Sequence, residues 1–371
     1  MIEYARRRKN TCPDFSMTGN TGTPVKPVLF SFKFIPLCFI SLCLYACEPP
    51  PAQQQLVVLS GLTMGTTYTV KIVTPESKLD KIILSEEINL RLEKVNAQMS
   101  TYLETSVLSL FNQSNTKDWV EIPAELYSVI EEALRISKLS NNAFDITIGP
   151  VVNLWGFGPD KQSSVIPEES AIHEALGKVG SQNIHLDAKT HAIRKDNPDL
   201  YIDLSAIAKG FAVDVIADYL DVLGINNYMV EIGGEIKTRG INPDNKFWHI
   251  GIEKPVDDQR TVQSVVVLNN TGMATSGDYR NYFEKNGLRY SHTIDPATGR
   301  PITHKLASVT VLHPSTMTAD AMATALLVLG PEHGFELALK ENISAFFLVR
   351  EGDNFIEKMT PQFKQAVSSA E

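Results

Sequence analysis

Strand-like stretches in this chain follow one another in runs rather than alternating strictly with helices. Apolar, strand-type segments at 228–239, 247–253, 262–268, 272–276 and 289–295 come in succession, separated by turn residues. That order argues for an α+β fold with mixed or antiparallel sheets and packed helices, over a doubly wound α/β fold. Further strands are expected at 56–74, 184–193, 200–204 and 307–313, with Gly61 and Gly65 at turn or bulge positions and a closing hairpin (343–350 and 354–358) around Gly352. Amphipathic periodicity predicts helices over 79–99, 123–139, 167–179 and 206–223, the last ending at Gly224. Two more are expected at 318–329, closed by Gly330, and at 335–339.

All four cysteines, Cys12, Cys38, Cys43 and Cys47, lie in the first 47 residues. A chain cut near there has no disulfide framework, so its core must hold it together. The start reads as a signal peptide over 1–46: a basic run at 6–9, then an apolar stretch at 34–46 too short to span a membrane comfortably. Met17 offers an alternative start. Leu44-Tyr45-Ala46-Cys47 resembles a bacterial lipobox, with Cys47 the residue to be acylated, for example by palmitate, and 47–55 a Pro/Gln-rich lipidated tether; a plain secretory signal is the other reading. An anchored protein of this kind is expected on the periplasmic side of the inner membrane. The chain carries a net charge of −9, and its first 46 residues are basic, so the remainder is strongly acidic. That composition speaks against a nucleic-acid partner, and it means that an anionic ligand needs local help.

One stretch offers such help. In 201–214, YIDLSAIAKGFAVD, Asp203 ends a strand and Lys209 and Gly210 enter a helix. A cation at a helix N-terminus is disfavoured by the helix dipole unless something negative lies nearby. A phosphate or diphosphate fits, since free helix-terminal amides bind phosphate; an ordinary solvated lysine fits too. Asp320 and Thr324, four residues apart, share one helix face. Together they make an oxygen pair suited to a hard cation such as Mg²⁺, or else a first-turn acid and a packed threonine. His292 and Asp295 in YSHTIDPATGRP, Ser276 and Asp278 in TSGDY, and the glycine bend IGGE at 232–235 are each open to ligand-binding or plain structural readings. So are Met64 in MGTTY, Tyr102 in MSTY, and Asp145 in AFDITIGP with the Leu154-Trp155-Gly156 that follows. No G-x-G-x-x-G or Walker loop is present, and the zinc-protease pattern begun at His173–Glu174 fails at Gly177.

Taken in order, MGTTY, MSTY, AFDITIGPVVNLWGFGP, DLSAIAKGFAVD, GGE, TSGDY, SHTIDPATGRP and TADAMATA resemble the ApbE family of flavin transferases. The resemblance implies a single large, T-fold-like flavin transferase domain over 56–371. It implies binding of FAD and Mg²⁺, and transfer of FMN to a threonine or serine of an acceptor subunit with release of AMP. The acceptors are subunits of Na⁺-pumping NADH:quinone reductase or Rnf-type complexes. An FAD diphosphatase and a non-catalytic FAD-binding lipoprotein are the alternatives. By the same resemblance Met64, Tyr102, Ala143, Phe144, Asp145, Asp203, Lys209, His292 and Ile294 contact the cofactor. Ala206, through its carbonyl, and Asp320 and Thr324 hold the metal; His292 or, more weakly, Asp278 accepts the proton. Position 323, a second carboxylate in some members, is alanine here.

Overall fold

The computed structural model describes residues 54–75, 80–158, 166–256, 261–279, 281–285, 287–352 and 354–368. The expected signal peptide, Cys47 and most of the tether lie outside them. Eight strands pair in chain order: β1 (Gln54–Thr63), β2 (Thr66–Pro75), β3 (Tyr228–Ile232), β4 (Glu235–Arg239), β5 (Gly272–Gly277), β6 (Leu306–His313), β7 (Ser344–Glu351) and β8 (Asn354–Met359). Every pairing in this sheet is antiparallel. Around it run helices α1 (Lys81–Met99), α2 (Val107–Gln113), α3 (Ala124–Leu139), α4 (Gly149–Leu154), α5 (Glu169–Leu176), α6 (Ala208–Val222), α7 (Thr316–Lys340) and α8 (Pro361–Ser368). The fold is α+β, and residues 51–371 form one unit.

The period-two pattern of the strands buries both faces of the sheet. Along β7, Ala345, Phe347 and Val349 join the main core with α1, α3, α6 and α7. Phe346 and Leu348 face the opposite layer, made by a hairpin (Trp248–Glu253 with Val262–Leu268) and Phe363 of α8. Each buried Val, Leu or Phe among these contributes about 1.5–3 kcal/mol. A third cluster, around Val151, Trp155, Ile172 and Ile294, lies beside the site described below.

Three expectations are corrected. Gly61 is not a turn: the β1–β2 hairpin turns at Met64–Gly65, with φ of 49° and 71°. Gly61 instead lies under the Tyr68 ring, where a Cβ would approach to 2.6 Å. The stretch 200–204 is not a strand, because its backbone finds other partners. The Asn112 amide accepts from Ile202 N–H and donates to Ile202 C=O, both at 2.8 Å, and Asp203 N–H donates to the Ile146 carbonyl at 2.7 Å. The stretch 184–193 is two short strands, Ile184–Asp187 and Ala192–Lys195, rather than one. As expected, Gly330 closes the first helical run of α7: at φ 81° and ψ −175° it is non-helical, and with Pro331 after it α7 is two helices joined across a kink. Among the described residues no helix is long and apolar enough to cross a membrane.

Candidate active site

The site is built where α6 meets α7. At the start of α6, Ile207 and Ala208 N–H both donate to the Leu204 carbonyl, at 3.0 and 2.8 Å. The Gly210 amide, third residue of α6, is one of the helix-start donors that have no partner in the helix ladder. It donates instead to Asp320 Oδ2 at 3.0 Å, and the Ala206 carbonyl is passed over. Only glycine allows this approach, since a Cβ at 210 would lie 2.4 Å from the Thr316 carbonyl oxygen and 2.8 Å from Asp320 Cβ. One turn further along α6, Asp214 accepts from the Thr316 and Met317 amides and the Ser315 hydroxyl, and pairs with Lys237 at 2.8 Å. It thereby caps α7 from a neighbouring helix. The α6 amides expected to face a phosphate are thus largely occupied within the protein.

Lys209 has its negative partners inside the fold. Its Nζ lies 3.2 Å from Glu235 Oε1 and 3.7 Å from Asp320 Oδ1, and both carboxylates are buried. Burial works against the ammonium, but the two carboxylates outweigh it and hold the Lys209 pKa above its ordinary value. Burial pushes the Glu235 carboxyl upward, against the pull of Lys209 and with the push of Asp320. Glu235 reaches this position from the two-residue turn between β3 and β4, where Gly233 and Gly234 have φ of 62° and 107°.

A cleft of about 380 Å³ opens over this floor, lined in part by Ala143, Phe144, Asp145, Asp203, Ala206, Lys209, His292, Ile294, Asp320 and Thr324. Ten of the expected site residues are therefore brought together. A second hollow continues from it, sharing Ala143, Asp145, Pro296 and Val328. The carboxylate of Asp145 is turned to its own loop, accepting from Thr147 N–H (2.8 Å), Thr147 Oγ1 (2.6 Å) and Ser181 N–H (3.2 Å). One oxygen of Asp203 accepts from the Ser205 amide and hydroxyl. Thr324 Oγ1 lies 2.9 Å from the Ser276 hydroxyl.

His292 stands at the rim. Its Nδ1 is 3.0 Å from the Asn281 carbonyl, so the proton belongs on Nδ1 and Nε2 keeps its lone pair. Burial lowers the pKa of the imidazole; the Asn281 carbonyl and Asp278 oppose this, and Lys209 adds to it. The ring meets Phe157 edge-on at 6.3 Å, and Phe157, Phe283, Tyr290 and Trp155 stack in series. Trp155 Nε1 donates to the Gly299 carbonyl at 2.8 Å, fastening the 295–301 turn.

Three expected residues fall outside the lining. Asp278 is not a free base: Arg350 grips both its oxygens, at 2.9 and 2.5 Å, and such a bidentate pair is a strong fixture. Met64 lies in the β1–β2 turn, packed on the main core. Tyr102 is 69 % exposed; burial of its hydroxyl and the Asp203 charge raise its phenol pKa. Residues unassigned from sequence are Glu235, Asp214 and Asn281. Their only signals were the GGE bend and the aspartate ending DLSAIAKGFAVD.

The donor set of Asp320, Thr324 and the passed-over Ala206 carbonyl is all oxygen, with one carboxylate, and fits a hard divalent cation rather than zinc. Among the described residues there is no cluster of three or more His, Cys, Asp or Glu side chains for a metal. Ala323 is fully buried in the main core.

Residues 64–347 match the ApbE family. The chain is 47% identical over 327 residues to a protein of Vibrio cholerae named FAD:protein FMN transferase, covering 88% of this chain and 96% of that one. It is 39% identical over 346 residues to a protein of the same name from Escherichia coli, covering 91% and 98%. Among solved structures, the flavin transferase ApbE from Vibrio cholerae superposes with a TM-score of 0.79 at 45% identity, over 84% of this chain and 99% of that one. The ApbE protein of Thermotoga maritima does so with a TM-score of 0.74 at 30% identity, over 84% and 99%.

Proposed function

The chain belongs to the ApbE family, and we propose that it is a magnesium-dependent FAD:protein FMN transferase that esterifies a threonine or serine hydroxyl of an acceptor subunit and releases AMP. The observation that carries this reading is the convergence of Asp320, Thr324, Lys209 and a neutral His292 on one cleft. Asp320, Thr324 and the Ala206 carbonyl would hold Mg²⁺, which when bound neutralises charge on the diphosphate. Lys209 supplies a fixed positive charge beside it in a partly dry site. His292 Nε2 accepts the proton of the incoming hydroxyl. The hydroxyl oxygen bonds to the phosphorus of the FMN half, the bond to the AMP phosphate breaks, and AMP leaves with its electrons. Phe144, Ile148, Val152, Leu327 and Val328 give the cleft apolar wall for an aromatic ligand. Asp145 and Asp203 shape the loops on either side of it.

By the same reading the acceptors are subunits of Na⁺-pumping NADH:quinone reductase or Rnf-type complexes, and the enzyme sits on the periplasmic side of the inner membrane through acylated Cys47. The test is incubation with FAD, Mg²⁺ and a candidate acceptor subunit, read by mass. A gain of one FMN on the acceptor is expected. Release of free FMN and AMP with no labelled acceptor would make the protein an FAD diphosphatase, and intact FAD in every sample would make it a binding protein.

A further inference from the structure

The floor of the cleft sets two buried carboxyl groups against a single ammonium. Lys209 Nζ is shared between Glu235 Oε1 at 3.2 Å and Asp320 Oδ1 at 3.7 Å. Glu235 Oε2 is buried with no hydrogen-bond donor, an arrangement that costs energy until a donor or cation arrives. Asp320 is also the one carboxylate of the metal site in the reading above. An ammonium and a divalent cation so close to one carboxylate repel each other strongly in a buried setting. Each of them therefore weakens the hold of the other on Asp320. Glu235, already the nearer partner, holds the ammonium when Asp320 is taken and has a second, unpartnered oxygen to offer it. Gly233 leaves the Lys209 stem free, since a Cβ there would stand 3.3 Å from Lys209 Cδ.

We propose that Lys209 is the internal counter-ion of the metal site, exchanged for the metal at Asp320, and that Glu235 is the positioning residue that takes the ammonium when the metal binds. This rests on the metal reading of Asp320 but not on the identity of the transferred group. In the exchange no covalent bond changes: the Lys209–Asp320 contact is lost, the Lys209–Glu235 contact tightens, and the lysine stays in the cleft to meet the diphosphate.

Titration calorimetry with Mg²⁺ alone, without FAD or acceptor, tests this on wild type, Lys209→Met, Glu235→Gln and the double variant. Lys209→Met is expected to bind Mg²⁺ about tenfold more tightly, because its competitor is gone. Glu235→Gln is expected to bind it severalfold more weakly, because the ammonium falls back on Asp320. In the Lys209→Met background the Glu235→Gln effect should shrink to less than half, the non-additivity of residues acting through one another. Unchanged or weaker Mg²⁺ binding in a folded Lys209→Met overturns the proposal, as does a Glu235→Gln effect of equal size in both backgrounds. If Lys209→Met fails to fold, the volume-conserving Glu235→Gln decides alone, and unchanged affinity overturns the exchange. Absence of Mg²⁺ binding in all four proteins overturns both this and the metal reading. Intact exchange with no labelled acceptor counts against the transferase reading only.

Discussion

At the floor of the cleft two helices touch so closely that the Gly210 amide reaches the Asp320 carboxylate, and Asp214 closes the end of α7 from the side. At the rim, His292 hangs between the Asn281 carbonyl and a row of stacked rings, in a bend between two short strands (Leu288–Ser291 and Ile294–Asp295) outside the main sheet. The floor is fixed by backbone contact and buried charge, so any change there alters both folding and chemistry. The rim is fixed by aromatic packing and one hydrogen bond, so its chemistry can be altered with the fold left standing. On the proposed reading such a division suits an enzyme that must admit a protein side chain to a reacting phosphate: charge stabilisation would be preorganised at the floor, and His292 would meet the incoming hydroxyl at the rim.

The largest effect should come from the floor. Asp320→Asn should lower FMN transfer by about a thousandfold, measured as labelled acceptor per minute. Near-normal transfer would overturn the proposed role of Asp320 as a metal ligand. Asp214→Ala should next cost about 3 kcal/mol of stability, as it strands Lys237 and three α7 donors. Chemical denaturation measures this, and a loss below about 1 kcal/mol would mean that the inter-helix cap is idle. At the rim, His292→Gln should slow transfer by about a hundredfold with the melting temperature nearly unchanged. A large drop in melting temperature would erase the contrast between floor and rim. In wild type the lowered His292 pKa keeps the base neutral to a more acid pH than an ordinary imidazole. The rate should therefore hold as pH falls through 6.5, the ordinary histidine value, and decline only below it. A decline centred at or above that value would show His292 to be no buried base. The smallest effect belongs to exposed Tyr102: Tyr102→Phe should change the KM for FAD by less than about threefold.

The fold class was legible because runs of strands and amphipathic periods are local signals. Most of the cleft was legible too, since Asp203, Lys209, Asp320 and His292 sit in ordered motifs that a resemblance can carry. The errors arose where a distant residue overrides local preference. Ile202 reads as strand, but the Asn112 amide, 90 positions away, takes both of its backbone groups. Gly61 reads as a turn, but it is small because Tyr68 lies on it. The α6 start reads as a free phosphate cradle, but Asp320 claims its glycine amide across 110 residues. Glu235 was hidden because a carboxylate in a glycine bend looks solvent-exposed until β4 carries it into the core.

Asp278 is held by Arg350, from the last stretch of the main sheet, while it helps shape the electrostatic surroundings of His292. A ribosome that has made every motif of the site has therefore not yet made its clamp. A partial product, or a chain clipped before β7, would carry the acid, the lysine and the histidine but neither Arg350 nor the strand from which both core layers draw residues.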